Sequence, residues 1–388
     1  MIMKSQRIRK SLGFSLVELL IAMALGLILL ASATQLFKNG MDASRLVSQR
    51  TEMQDNVRAA TNMMVKDLSL AGSGIPPGGL ILPQGAGSIG LSLYGRDPVK
   101  TWVTPNTYPT GTFGGAAVTN FMYGLIPGPL KGMENGSAFT KIPATNQTPD
   151  TVTSIYADYT FPLNQYVGSF ANETGTVINF ALPAVLPVPP APALPVAING
   201  PGGIRVGDLV LIQNGFGSAI GEVTNTTTTS LTFAAGDPLR MNQTGAAKGN
   251  IQALCLGVTP GAPCSSSGVI TAHRIYAVTY FIEVPNVAGQ LPKLMRQVNA
   301  QPAQAVADDI IGLTFTYDVC DGTVTPGVTP NCAGLSDLFA GGFTPNNVHK
   351  VNVTVMGQSI LSYGNHAQNM QMTASVHTRD LTFKDRYK

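Results

Sequence analysis

The sequence predicts an α+β chain, with one long N-terminal helix packed on an antiparallel, β-rich globular domain. Three observations predict it. An apolar, proline-free run opens the chain, "GFSLVELLIAMALGLILLA" at Gly13 to Ala31. A helical stripe of apolar residues continues from it as far as Leu68. The rest is rich in Gly, Pro, Thr, Asn and Val, with short apolar or alternating runs between turn residues, which is the pattern of strands.

Residues 1–13, "MIMKSQRIRKSLG", carry Lys4, Arg7, Arg9 and Lys10 and no acid. Basic residues ahead of an apolar run keep the N-terminus cytoplasmic. From Phe14 to Ala33 nearly all of 20 residues are apolar or small. That length spans a bilayer core as a helix, and we assign residues 14–36 to it. A secretory signal peptide is one reading, and "ASA" at Ala31 to Ala33 resembles a cleavage site. Against it, the run exceeds a usual signal core and the helical pattern passes Ala33. A plain membrane anchor accounts for the length and the charges but not for Glu18. A charge inside a membrane helix is expensive unless paired, which makes Glu18 a functional candidate.

Residues 37–71 form the amphipathic second half. Apolar residues fall at Leu46, Met53, Val57, Ala60, Met64 and Leu68, at helical spacing, with Gln49, Arg50, Asp55, Arg58 and Lys66 between them. No proline occurs from Phe14 to Leu70, and "LAGSGIPPGG" then stops the helix. The 58 residues from Phe14 to Ala71 make a helix of about 87 Å, of which a bilayer takes about 30 Å. The remainder is expected to lay its stripe on a sheet. A coiled coil is the competing reading, but the stripe drifts from a strict heptad.

Residues 72–200 read as a Gly/Pro-rich β elaboration. Its end, Phe180 to Gly200, holds six prolines and reads as an extended linker. Residues 201–388 read as a β-rich C-terminal domain. Leu209 to Ile212 suit a buried strand, "QNGFG" a turn, and "EVTNTTTTSLTF" two strands with a polar turn. Further strands are expected in "HRIYAVTYFIEV" and "LPKLMRQV", from Leu313 to Val319, and in "VHKVNVTV", with Val351, Val353 and Val355 on one face. A short closing strand is expected in "HTRDLTFKDRY".

The net charge of +3 belongs to the leader: without its four basic side chains the chain sums to about −1. No nucleic-acid-binding surface is predicted. The cysteines are Cys255, Cys264, Cys320 and Cys332, an even number that suggests disulfides in an exported chain. Three connectivities exist; the local one, Cys255–Cys264 with Cys320–Cys332, is preferred because each pair brackets a Gly/Pro-containing loop. No C-x-x-C or paired histidines favour zinc. His273, His349, His366 and His377 stand isolated, and no G-x-S-x-G or P-loop occurs. Asp308 with Asp309, or Asp318 with Asp321, lack calcium-loop spacing and read as solvated carboxylates. The chain is therefore read as no enzyme, with no cofactor and no metal.

Gly13, Phe14 and Glu18 in "KSLGFSLVELLIA" resemble the signal of type IV prepilins and pseudopilins. The resemblance implies cleavage by prepilin peptidase after Gly13 and N-methylation of Phe14. It implies that Glu18 of one subunit pairs with the new Phe14 amine of its neighbour during assembly. Major pilins of this family often carry a proline in the apolar half of the helix; here it is absent, and Gly26 and Gly40 are the comparable weak points. The strands "VTYFI", "LPKLMR", "VADDIIGLTFTYD" and "VHKVNVTV", with a basic–aromatic tail, resemble the PilW family of minor pilins. The likeness covers residues 1–75 strongly and 200–388 moderately. It implies a type IV pilin-like fold and an assembly role, in a priming or tip complex with other minor pilins and the major pilin. It also implies an inner-membrane precursor handed to the pilus assembly platform, with most of the chain periplasmic and later extracellular. Two alternatives stay open: a minor pseudopilin of type II secretion, and an adhesive or ligand-binding tip subunit. Twitching motility, adhesion and DNA uptake are not distinguished.

Overall fold

The computed structural model describes residues 15–76, 79–83, 112–113, 116–117, 121–130, 132–135, 141–171, 174–181, 197–239, 241–243, 245, 249–255, 269–285, 290–320, 332–338, 343–363, 366–378 and 381. A single helix runs from Leu16 to Ser69, 54 residues. Ser15 precedes it in extended conformation. The helix is about 81 Å long at 1.5 Å per residue. Its end lies two residues before the expected Ala71. Gly72 and Gly74 follow at φ 85° and 71°, which a residue with a Cβ adopts only under strain. The chain passes through Gly26 and Gly40 without a break.

The stripe expected on the second half is the buried face. Met53, Val57, Ala60, Met64 and Leu68 are buried. Leu46 is only half-buried, because burial against the sheets begins at Met53. Thr61 and Asp67, both polar, are buried with them. Ahead of Met53 no described helix residue is buried.

Two large antiparallel layers receive the helix. The C-terminal sheet has the order Cys332–Leu335, Ile310–Cys320, Val348–Tyr363, His366–His377. Val351, Val353 and Val355 alternate inward and are fully buried, as are Leu313, Phe315, Tyr317 and Val319 opposite. The inward valine face follows from the two-residue period of a strand. The approach is close: a Cβ on Gly357 would lie 2.7 Å from Val57 Cγ2. The expected strand from Leu313 starts earlier, at Ile310.

The larger sheet has the order Gly217–Glu222, Leu209–Asn214, Thr271–Val284, Lys293–Val298, Gln304–Ala307. Leu209 to Ile212 are buried, as their continuous apolar character predicts. The "QNGFG" turn joins the first pair, with the Phe216 N–H donating to Asn214 Oδ1 at 2.9 Å. On the other edge of Thr271–Val284 lies Thr151–Asp158, with Tyr280 opposite Val152 and Arg274 opposite Asp158. Leu125–Gly128 pairs with that strand in turn. Met133–Asn135 adds the one parallel pairing among the described strands. A smaller sheet orders Asn225–Thr226, Ser230–Thr232, Val177–Ala181 and Val167–Phe170.

These pairings cross the boundary expected at residue 200. Thr151–Asp158 and Thr271–Val284 are neighbours in one sheet, so the chain does not divide there into an elaboration and a separate domain. The described ends of the Pro-rich segment meet in one place. The Phe180 N–H donates to Thr229 O at 2.8 Å and the Ile198 N–H to Thr228 O at 3.0 Å. Both residues belong to one apolar core. Phe180 and Ala181 are strand, and 182–196 lie outside the described residues. Arg274 ties two strands of the larger sheet to the loop at Gly203, donating through Nε to Asp158 Oδ2 at 2.7 Å and through Nη1 to Gly203 O at 2.9 Å.

Most of the expected closing strand, 379–380 and 382–387, lies outside the described residues. The last described strand is His366–His377, ahead of the expected one. Thr378 then turns away, its hydroxyl donating to Val348 O at 2.9 Å. Leu381, expected in a strand, sits in a turn and is buried in the main core. A Cβ on Gly124 would meet the Gly72 backbone and lie 2.7 Å from Leu381 Cδ2, so Leu381 packs close to both glycines.

Candidate functional site

The helix carries two different surfaces. From Leu16 to Val47 its large apolar side chains, the half-buried Leu46 excepted, face outward, Leu16 at 74% and Phe37 at 71% exposure. It is the one described helix long and apolar enough to cross a membrane. Such a surface is unstable in water and requires lipid or another protein. Glu18 sits in the first turn of this half, fully among exposed residues. Its Oε2 accepts the Ser15 N–H at 3.4 Å, a long bond that leaves most of the carboxylate's capacity unused. At this end of the helix the backbone dipole favours a negative group. Gly13 and Phe14 lie outside the described residues.

The second surface is a polar lock within the buried face. Asp67 is 4% exposed. Its Oδ2 accepts the Tyr280 hydroxyl at 2.5 Å and Arg296 Nε at 2.8 Å. Its Oδ1 accepts the Tyr156 hydroxyl at 3.1 Å and Arg296 Nη2 at 3.3 Å. The Ser154 hydroxyl donates to the Asp67 carbonyl at 2.7 Å. Burial, and then the Asp67 charge, push both tyrosines well above the ordinary phenol range. Burial works against the Arg296 charge, but the hydrogen bonds and charge of Asp67 outweigh it and hold the guanidinium protonated. The helix is thereby fixed in rotation and height against the larger sheet. This cluster was not expected. The signal was present: Asp67 falls at i+3 from Met64, in phase with the stripe, where an acid must find partners.

Cys320 and Cys332 are disulfide-bonded, with Cα atoms 4.1 Å apart on paired strands. Cys255 is disulfide-bonded too; Cys264 lies outside the described residues. The other candidates are dispersed. His273 lies 6.2 Å from the Tyr159 ring, and burial lowers its pKa. Asp308 pairs with Lys293 and Asp318 with Lys350, each at 3.1 Å. Asp321 lies outside the described residues. Among the described residues no group of three or more His, Cys, Asp or Glu side chains is placed to hold a metal.

Comparison with known proteins agrees with the helix geometry. Residues 8–34 match the prokaryotic N-terminal methylation motif. The chain is similar to the pilin-like protein PilA3 of Thermus thermophilus, 38% identical over 61 residues. That stretch is 16% of this chain and 26% of the relative, so the chain spans about a quarter of the length of the curated relative it matches. No solved structure matches. The prepilin-type signal, the exposed apolar helix and the α+β fold support a type IV pilin-like structural subunit of a pilus or pseudopilus, made as a membrane-anchored precursor.

Proposed function

We propose that the chain is a PilW-type minor pilin that helps to prime type IV pilus assembly. The observation that carries this reading is the helix from Leu16 to Val47, apolar and without a partner in its own chain, headed by Glu18. Prepilin peptidase cuts after Gly13 at the inner membrane, and Phe14 becomes the methylated N-terminus. Until the assembly platform extracts it, the helix sits in lipid with the globular part in the periplasm. In the filament it packs against the helices of other minor pilins and the major pilin. The Phe14 amine of one subunit meets Glu18 of the next. Neither charge is stable alone in an apolar medium, so pairing sets the axial register. The assembly platform then extracts the subunit.

The test is a count of surface pili by electron microscopy in a deletion strain of the source organism, in a background that does not retract pili. Loss or a sharp reduction of pili is expected. Normal piliation would transfer the chain to the pseudopilus, or to a tip role dispensable for assembly.

A further inference from the structure

Beside the Asp67 lock lies a groove of about 650 Å³ between the helix and strand Gln304–Ala307. Asn62, Met63 and Lys66 line it from the helix, and Arg296, Gln304 and Val306 from the sheet. Three features make it more than a seam. Gln304–Ala307 ends the larger sheet: among the described residues it pairs with Lys293–Val298 alone. Its outer backbone groups therefore have no strand partner among the described residues, and Gln304 and Ala305 are exposed. The strand is short, 4 residues, and its pairing carries a register shift, but "QAVA" itself sets no Lys or Pro against a pairing chain. The floor is apolar, with Val306 packed on the core and Met63 at 42% exposure. The charges do not cancel. Arg296 donates to Asp67 through Nε and Nη2, leaving Nη1 without a hydrogen bond among the described residues. Lys66 is exposed and forms no ion pair among them. Two cations thus face one carboxylate.

We propose that this groove receives an extended segment of a neighbouring subunit that carries a carboxylate. The segment adds to the free edge of Gln304–Ala307 through main-chain hydrogen bonds. Its acid pairs with Lys66 and with Nη1 of Arg296, and charge complementarity selects it over neutral segments. A nucleic acid would need a broader positive field than one surplus charge supplies. The proposal rests on the chain being an assembled subunit. It uses a surface separate from the apolar helix half, which ends at Val47.

The experiment places a photo-crosslinking phenylalanine analogue at Ala305 of the full-length chain in its native membrane and filaments, and maps the adduct peptides. A peptide containing Asp or Glu close to the crosslinked residue is expected. Lys66→Glu should lower adduct yield about tenfold, a loss of roughly 1.4 kcal/mol, and Lys66→Arg should retain it. Absence of an adduct, lipid or nucleic-acid adducts alone, acid-free peptides, or yields indifferent to Lys66→Glu would overturn the proposal. Filament incorporation measured on the same samples separates the two readings. A chain that enters filaments without the Lys66-dependent adduct removes the groove proposal only. A chain that gives the adduct but stays out of filaments removes the pilin reading, and with it the neighbouring subunit as the occupant.

Discussion

The Tyr280 hydroxyl and Asp67 Oδ2 meet at 2.5 Å across 213 residues of sequence. Together with Tyr156 and Arg296, this contact decides where the helix sits on the sheet. Removing the acid leaves four donors, on Tyr156, Tyr280 and Arg296, turned toward an empty place. Asp67→Ala is expected to destabilise the chain by roughly 2–4 kcal/mol, toward the lower part of the range for breaking a buried pair, because Arg296 keeps some contact with water. Asp67→Asn keeps the shape but not the charge and should cost less. Thermal unfolding of the detergent-solubilised chain checks both, and an unchanged midpoint for Asp67→Ala would contradict the lock.

Contact between the helix and the C-terminal sheet depends on Gly357. A Cβ there would lie 2.7 Å from Val57 Cγ2 and 3.3 Å from Met53 Cγ. Val57 is β-branched and fully buried, so it has little room to turn. Gly357→Val should therefore cost roughly 1–3 kcal/mol by overpacking. Limited proteolysis should show faster cleavage around residues 50–57, with no change for Gly26→Ala, where open space surrounds the added methyl.

Glu222 gives a pH dependence. It is 2% exposed and accepts the Leu239 N–H at 3.0 Å. Burial, with the neighbouring Asp237 charge adding to it against the Leu239 hydrogen bond, pushes its pKa up from 4.5 to about 8. A carboxyl whose pKa rises on folding favours the folded state below its unfolded value. That contribution is lost as pH rises through the folded value. Stability is thus expected to fall between pH 4.5 and about 8 from this group. Glu222→Gln, which keeps the neutral shape, should flatten that slope in unfolding measured across the range. An identical slope in the variant would assign the pH dependence elsewhere.

The disulfide between Cys320 and Cys332 closes a loop of sequence separation 12. Replacing both with Ser should cost roughly 2–4 kcal/mol, mainly by freeing the unfolded chain. Comparing the melting midpoint of the double variant with that of the native chain checks it. Equal midpoints would mean that the paired strands hold this corner without the bond.

The sequence displayed the helix plainly, because eighteen or more apolar residues and a 3.6-residue stripe leave few alternatives. Strands with strict alternation, such as Val351, Val353 and Val355, were equally plain, since each inward residue had to be apolar. What was hidden was pairing between distant segments. Nothing in "TVTSIYAD" names Thr271–Val284 as its neighbour, so the Pro-rich stretch looked like a boundary when the sheet simply passes it by. Of the site, Glu18 was legible as a charge in an apolar run. Asp67 was not legible as a site because its partners are distant in sequence, Tyr156 by 89 residues and Arg296 by 229.

The central claim is that Glu18 directs assembly and not maturation. The most direct measurement compares Glu18→Ala with the native chain in the source organism, reading leader cleavage in membranes and the amount of the chain in sheared filaments. Cleavage should proceed as in the native chain, because the cut falls at Gly13. Incorporation should fall by about tenfold or more, as expected when the Phe14 amine loses its partner in an apolar medium. Native levels of Glu18→Ala in filaments would contradict the account.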